Sequence, residues 1–378
     1  MRERAIRNAA FVIAALFGGV ILNVFWILLT DPKAVDFLAY WAAGKMVLGG
    51  AGADIYDIAA HRAVESLVVE PGLMPFPYPP PFALLVAPFG ALPFGPSFIV
   101  WTVLTGAFYL FASRRWMAPS IALSQPGVLI NGFIGQNAFL TSGLFMGGAA
   151  LLDRRPILAG AILGLLVIKP QLALMLPVAM IAGRQWHAIL GGATSAAVAL
   201  LAGLLVLGLD GYTAFFALLA EHANFVATDR WPWAELASVY ALVRSLGVGA
   251  DAAWVAHGLV ALGAATMVWL AWRGDHPGKV AILAAGTLLL PPYLLTYDCI
   301  LLGLAVAWLI GDARRPGLGV VVFLLSLVHV GGVFRLYPPI NGLPVAAMLA
   351  MGAIFWLGRR AERDDGAEAS LPQTPSTV

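Results

Sequence analysis

Charge is scarce in this chain: only 11% of its residues are Asp, Glu, Lys or Arg, against roughly a quarter in a soluble domain. With 61% hydrophobic residues, this excludes a globule covered by water and points to a polytopic membrane protein. Cysteine is nearly absent. Cys299 stands alone, so neither an intramolecular disulfide nor a Cys-based metal site is available. The net charge of +2 is dispersed, with no basic cluster dense enough to follow a nucleic-acid backbone, so no nucleic-acid partner is expected. There is no Walker-type phosphate loop, no GxGxxG on a strand-to-helix turn and no GxSxG, which excludes a nucleotide-using enzyme with a soluble domain. Neither His222 nor His329 stands at a metal-ligand spacing, and no metal or cofactor is expected. No cleavage site follows the first apolar run, so residues 8–29 read as a retained span. No period of 20–50 residues recurs, which excludes a solenoid.

What is present is a series of apolar segments, at about 8–29, 81–112, 118–134, 137–152, 157–168, 171–183, 188–208, 252–272, 280–296, 299–311, 317–334 and 343–358. About 20 residues cross a bilayer, so the expected fold is all-α with 11–13 transmembrane helices. Prolines 88, 93 and 96 break the second segment, which reads as an interfacial or re-entrant piece before a true span. The segments 157–168 and 171–183 are each too short for a crossing and read as a hairpin meeting at "KPQ". Placing "RERAIR", "RRW", "DRRP", "GRQWH", "WRGDHPGK", "GDARRPG" and "GRRAER" in the cytoplasm puts 15 of the 22 Lys and Arg inside, as the positive-inside rule asks. Both termini are then cytoplasmic, in the inner (plasma) membrane. One transmembrane domain is expected over 1–360, with outer loops at about 30–80 and 209–251, and a disordered tail over 361–378.

Polar residues gather on the outer side of this topology. In "VDFLAYWAAGKMVLGGAGADIYD" (35–57), Phe37, Trp41 and Leu48 share one helical stripe while Asp36 and Tyr40, four apart, share the next. This reads as an amphipathic helix on the membrane surface, ended by Gly49, Gly50 and Gly52. Asp36 either accepts a proton from an acceptor hydroxyl as a general base, or merely caps the helix. The prolines of "FPYPPPFALL" (76–85) fix an extended entry into the membrane. The amides of Gln136 and Asn137 either bind hydroxyls or satisfy neighbouring backbone. Lys169, flanked by apolar residues, needs a counter-ion: a phosphate, or Asp298. "LLPPYLLTYDCILL" (289–302) is a Pro-broken run opening onto Tyr297 and Asp298. Arg335 is a further phosphate candidate, while the tryptophans around 231–233 read as belt anchors. A transporter or lipid flippase is the alternative that the Pro-broken spans and the intramembrane Lys169 and Asp298 leave open.

The ordered set "VDFLAYWAAGKMVLGGAGADIYD", "FPYPPPFALLVAPFGALP", "GQNAFL", "AGAILGLLVIKPQ" and "PPYLLTYD" resembles glycosyltransferase family 87, over roughly residues 8–335. These are GT-C superfamily enzymes, best known as polyprenol-phosphate-mannose-dependent alpha-mannosyltransferases. The resemblance implies a polyprenyl-phosphate sugar donor and a glycan or glycolipid acceptor outside the cytoplasm. It implies Asp36 as the general base, in the first outer loop. Lys169, Arg335, Tyr297 and Asp298 would face the donor phosphate. Tyr40, Tyr56, Asp57, Tyr78, Gln136 and Asn137 are the acceptor- or sugar-binding candidates.

Overall fold

The computed structural model describes residues 2–70, 74–227, 233–312, 315–333 and 342–369. Hydrocarbon offers no water to the backbone, so a chain this apolar satisfies its N–H and C=O groups within helices. Among the described residues there is no β-strand, only an isolated bridge between Leu236 and Leu295.

The chain opens with α1 (Arg2–Thr30), whose Phe11, Leu16, Leu22 and Trp26 face outward as lipid-facing side chains do. Next come α2 (Phe37–Leu48) and α3 (Ile58–Glu65), then α4 (Pro80–Val86), a 3-10 turn over Ala87–Ala91, and α5 (Phe94–Ser113). The Pro-broken entry followed by a 20-residue span is as the sequence suggests. The segment 118–134 is not one span. It divides into α6 (Pro119–Leu123) and α7 (Pro126–Ile134), because Pro126 lacks the N–H that would continue the first helix.

After α8 (Ala138–Leu151) comes α9 (Pro156–Gly164), then 3-10 turns over Leu165–Ile168 and Pro170–Leu172, and α10 (Leu176–Ala182). The next helix, α11 (Trp186–Ala227), bends at Gly208, whose φ of 69° only glycine adopts freely. This bend falls where the sequence places the end of a span and the start of the second loop. A Cβ on Gly160 would collide with the backbone of Ala188, and one on Gly164 with Gly192 and Ser195. Those contacts advance in step along α9 and α11, so the two helices run parallel and α10 returns between them. Lys169 therefore sits at the tip of a hairpin, as expected.

The remainder is α12 (Val239–Ser245), α13 (Ala250–Arg273), α14 (Lys279–Leu289), a 3-10 segment over Thr296–Leu302, α15 (Gly303–Gly311), α16 (Gly317–Val333) and α17 (Leu343–Ala369). The last helix passes the boundary set at residue 360, and residues 370–378 lie outside the described ones. Among the described residues, five helices are long and apolar enough to cross a membrane: residues 4–30, 94–113, 186–224, 250–273 and 343–360. Shorter apolar helices pack among them, and the protein is an all-α polytopic membrane protein.

The helix at residues 37–48 differs from the expected surface helix in its environment. Phe37 and Trp41 are buried, Leu48 from the same stripe is exposed, and Leu38, Ala39, Tyr40, Ala42 and Ala43 on the other faces are buried too. Apart from Lys45 in its last turn its sequence is apolar on every face, which marks an enclosed helix. Close approach makes this possible: a Cβ on Gly44 would stand 2.5 Å from the Val86 carbonyl oxygen, and one on Gly90 would strike the backbone of Gly44 and Lys45. Thus α2 crosses the residue 80–91 segment backbone to backbone.

Candidate functional site

A cavity of about 430 Å³ opens where the α1–α2 junction, the Pro-rich segment before α4, the α7–α8 turn and the residue 293–297 segment meet. Its wall includes Asp36, Tyr40, Tyr78, Gln136, Tyr293 and Tyr297, with Glu235 and His222 contributed by the second loop. The α7–α8 turn is set by Gly135, in the left-handed region at φ 71°, whose carbonyl accepts from Trp101 Nε1 at 2.8 Å. Asn131 clamps the same turn. Its Oδ1 accepts from Ala138 N at 3.0 Å, and its Nδ2 donates to the Tyr297 carbonyl at 3.0 Å. One side chain thus ties α7, α8 and the residue 296–302 segment together.

Asp36 precedes the first turn of α2 without capping it through its side chain, and is half-buried. Gln136 Nε2 donates to Asp36 Oδ2 at 2.7 Å. Tyr40 OH donates to Gln136 Oε1, and Tyr78 OH does so at 3.0 Å. Asp36 and Tyr40 are therefore joined as their spacing suggests, through an amide rather than directly. Burial pushes the Asp36 carboxyl above its ordinary range; the Gln136 hydrogen bond, and further off the Lys169 charge, pull it back. The hydroxyls converge because their rings pack: Tyr40 lies edge-on to Tyr78 and Phe82, and Phe76 stacks on Phe82.

Beneath Tyr297, the Lys169 ammonium donates to Asp298 Oδ1 at 2.6 Å and to Asn137 Oδ1 at 3.2 Å. It lies 4.4 Å from the centroid of the Tyr297 ring. Lys169 and Asp298 are 2% and 1% exposed, and neither they nor Asn137 lines the cavity. Of the two counter-ions open to Lys169 in the sequence, the structure places Asp298 in contact. The Lys169 charge is thus paired with a carboxylate and set behind the Tyr297 ring rather than on the cavity wall.

Two further candidates fall elsewhere. Asp57 Oδ1 accepts from Ala60 N at 2.8 Å and caps α3, and Tyr56 OH donates to the Tyr78 carbonyl at 2.8 Å. Both line separate grooves rather than the cavity. Arg335 lies outside the described residues, as do Arg230 and Trp231. Among the described residues no Lys or Arg lines the cavity. The sequence reading missed Tyr293 and Glu235. Tyr293 follows the same Pro-Pro break that drew attention to Tyr297, and that break was the available signal.

The second loop is fastened to this site. Leu236 bridges Leu295, Ala237 N donates to the Leu294 carbonyl at 2.7 Å, and Thr296 Oγ1 donates to the Glu235 carbonyl at 3.0 Å. The same Thr296 hydroxyl oxygen lies 2.8 Å from His329 Nε2. The wall is thus one hydrogen-bonded piece built from chain regions far apart in sequence.

No curated protein and no solved structure was found to match the chain. The comparison with protein families matches residues 76–297 to glycosyltransferase family 87. The matched region holds Tyr78, Gln136, Glu235, Tyr293 and Tyr297 of the cavity wall, while Asp36 and Tyr40 precede it. Covering more than half of a chain whose helices enclose a carboxylate-bearing cavity, this match shows that the protein belongs to glycosyltransferase family 87.

Proposed function

We propose that this glycosyltransferase moves a hexose such as mannose from a polyprenyl-phosphate donor to a glycan or glycolipid acceptor on the extracytoplasmic face of the inner membrane. Asp36 supports this reading more than any other residue: a carboxylate held at the wall of the cavity by a side-chain amide, among tyrosine hydroxyls. The reaction is a direct inverting displacement. The acceptor hydroxyl gives its proton to Asp36, its oxygen bonds to the anomeric carbon, and the bond from that carbon to the phosphate oxygen breaks. Polyprenyl phosphate leaves with the electron pair. Asp36 needs only to be ionised and in hydrogen-bond reach, because the phosphate is a good leaving group.

The developing charge falls on the phosphate, and the tyrosines supply donors there. Tyr297 and Tyr293 are the wall residues suited to it, and Arg335 keeps the role that the family resemblance gives it. The buried charges that left a flippase open are matched to each other, since Lys169 pairs with Asp298. This accords with a scaffold role for them. Membranes carrying Asp36→Asn are expected to lose transfer from a radiolabelled polyprenyl-phosphate sugar by at least about 10²-fold, the scale of general-base catalysis. Full transfer by that variant would remove the role given to Asp36.

A further inference from the structure

Two groups that can act in only one way set the Gln136 side chain. The ionised Asp36 carboxylate can only accept, and its Oδ2 lies 2.7 Å from Gln136 Nε2. The Asn137 backbone N–H can only donate, and it lies 3.2 Å from Gln136 Oε1. Either neighbour alone decides which end of the amide is oxygen, and both give the same answer. Tyr78 adds its hydroxyl donor to the same Oε1, and the Tyr40 hydroxyl, in contact with both Oε1 and the Tyr78 oxygen, gives its single proton to one of them. With the Asn137 N–H and Tyr78 alone the two lone pairs of Oε1 are filled, so it has no capacity to accept from a sugar. Nε2 has one hydrogen on Asp36 and one remaining. Gln136 is 5% exposed, and Gly135 in its left-handed conformation fixes the backbone beside it.

We propose that Gln136 is a positioning residue, which holds the Asp36 carboxylate in one orientation at the cavity wall instead of binding sugar or acceptor itself. This rests on the general-base reading of Asp36. The amide acts as a rigid spacer: phenols and a backbone N–H lock one end, so the other end presents a fixed N–H to the carboxylate. Such a contact orients the base and also sets its basicity, because a donor to the charged form favours that form.

The other titratable groups near Asp36 are Tyr40 on its own helix, Tyr78, Tyr293 and Tyr297 on the wall, and the Lys169–Asp298 pair beneath. Glu235 and His222 also line the cavity. None of these is altered chemically when Gln136 alone is changed. Gln136→Met removes the donor with little change of volume, so the Asp36 midpoint moves to higher pH. Gln136→Glu retains an oxygen for Tyr40, Tyr78 and the Asn137 N–H, but sets a second carboxyl against Asp36. It moves the midpoint further in the same direction.

The test is an infrared titration of the purified full-length protein, with the Asp36 carboxyl band assigned by difference against Asp36→Asn. The expected order of midpoints is wild type, then Gln136→Met, then Gln136→Glu, each higher than the last. Transfer from radiolabelled polyprenyl-phosphate mannose to the glycolipid fraction of native membranes is measured beside it. There kcat is expected to fall about 10- to 100-fold in Gln136→Met with donor KM within about threefold, the split that marks an interaction used only in the transition state. If Gln136→Met fails to accumulate, Gln136→Glu carries the test, since it keeps the bonds to the phenols. Unmoved midpoints, or a tenfold rise in KM with kcat retained, would overturn the positioning role and make Gln136 a substrate contact. Loss of transfer in Asp36→Asn alongside unmoved Gln136 midpoints removes this inference alone; retained transfer in Asp36→Asn removes the general-base reading beneath it.

Discussion

Removing Lys169 separates a scaffold ion pair from a phosphate contact. The ammonium lies 2.6 Å from Asp298 Oδ1, with both side chains buried. At an effective dielectric of about 20 the gross attraction at that distance is about 6 kcal/mol, and desolvation of the two ions offsets much of it. What remains decisive is the partner left behind. Lys169→Met strands the Asp298 carboxylate in an apolar interior, at a cost of about 3–5 kcal/mol. The contact with the Tyr297 face adds about 0.5–2 kcal/mol. Replacing both partners, as Lys169→Met with Asp298→Leu, removes the stranded charge and is expected to recover most of that loss. The assay is equilibrium unfolding of the purified protein in mixed micelles, run as a double-mutant cycle. Sugar transfer is measured on the same samples, and the double variant is expected to keep a donor KM close to wild type. The reasoning is refuted if Lys169→Met leaves stability unchanged but raises donor KM tenfold, for then the lysine serves the phosphate.

Three other outcomes are expected. Burial raises the Glu65 carboxyl to about 7 while its two oxygens accept from Met74 N at 2.9 and 3.0 Å. The folded state therefore holds this proton up to about pH 7, whereas the unfolded chain releases it near 4.5. Stability contributed by this group is greatest below pH 4.5 and declines on the order of 3 kcal/mol as pH rises to about 7, and Glu65→Gln flattens a plot of melting temperature against pH over that window. Gly135→Ala forces a positive φ on a residue with a Cβ, and that Cβ would meet Phe98 and Phe37 at 2.6 and 2.7 Å. A loss of about 1–3 kcal/mol is expected in denaturant melts, together with loss of transfer, because Gln136 is the next residue. In a Cys299→Ser background, Lys33→Cys is expected to react with a membrane-impermeant thiol reagent on intact cells and Arg154→Cys only after permeabilisation; the reverse pattern would break the proposed orientation.

Much of the architecture was legible because its causes are local. Prolines before residue 94 interrupt the helical run because each lacks an N–H, with Pro80 and Pro81 accommodated in the first turn of α4, and Gly208 bends α11 where the apolar run ends. Lys169 between two short apolar runs signalled a reversal, since a lysine flanked by apolar residues has to reach a partner. The enclosure of α2 was harder to read. Phe37, Trp41 and Leu48 suggest a surface stripe only if the apolar residues between them are discounted, and the ring that packs on both Phe37 and Trp41, Phe94, lies far along the chain. Which acid met Lys169, and which walls closed the cavity, depended on contacts across 129 and 100 residues that no local pattern encodes. Asp57, an acceptor-binding candidate in the sequence, caps α3 through Oδ1 and stands outside the cavity, a placement its nearness to Asp36 in sequence does not reveal.

The pairing of Lys169 with Asp298 also bears on how the chain is made. The lysine is synthesised 129 residues before its carboxylate. At about 5–20 residues per second of synthesis, it spends roughly 6 to 26 s without that partner. A lone ammonium among buried apolar residues is costly, so the hairpin of α9 and α10 gains a reason to stay in place only when the segment carrying Asp298 arrives. Insertion of the late helices thereby completes an early one, and an incompletely made chain has no finished cavity.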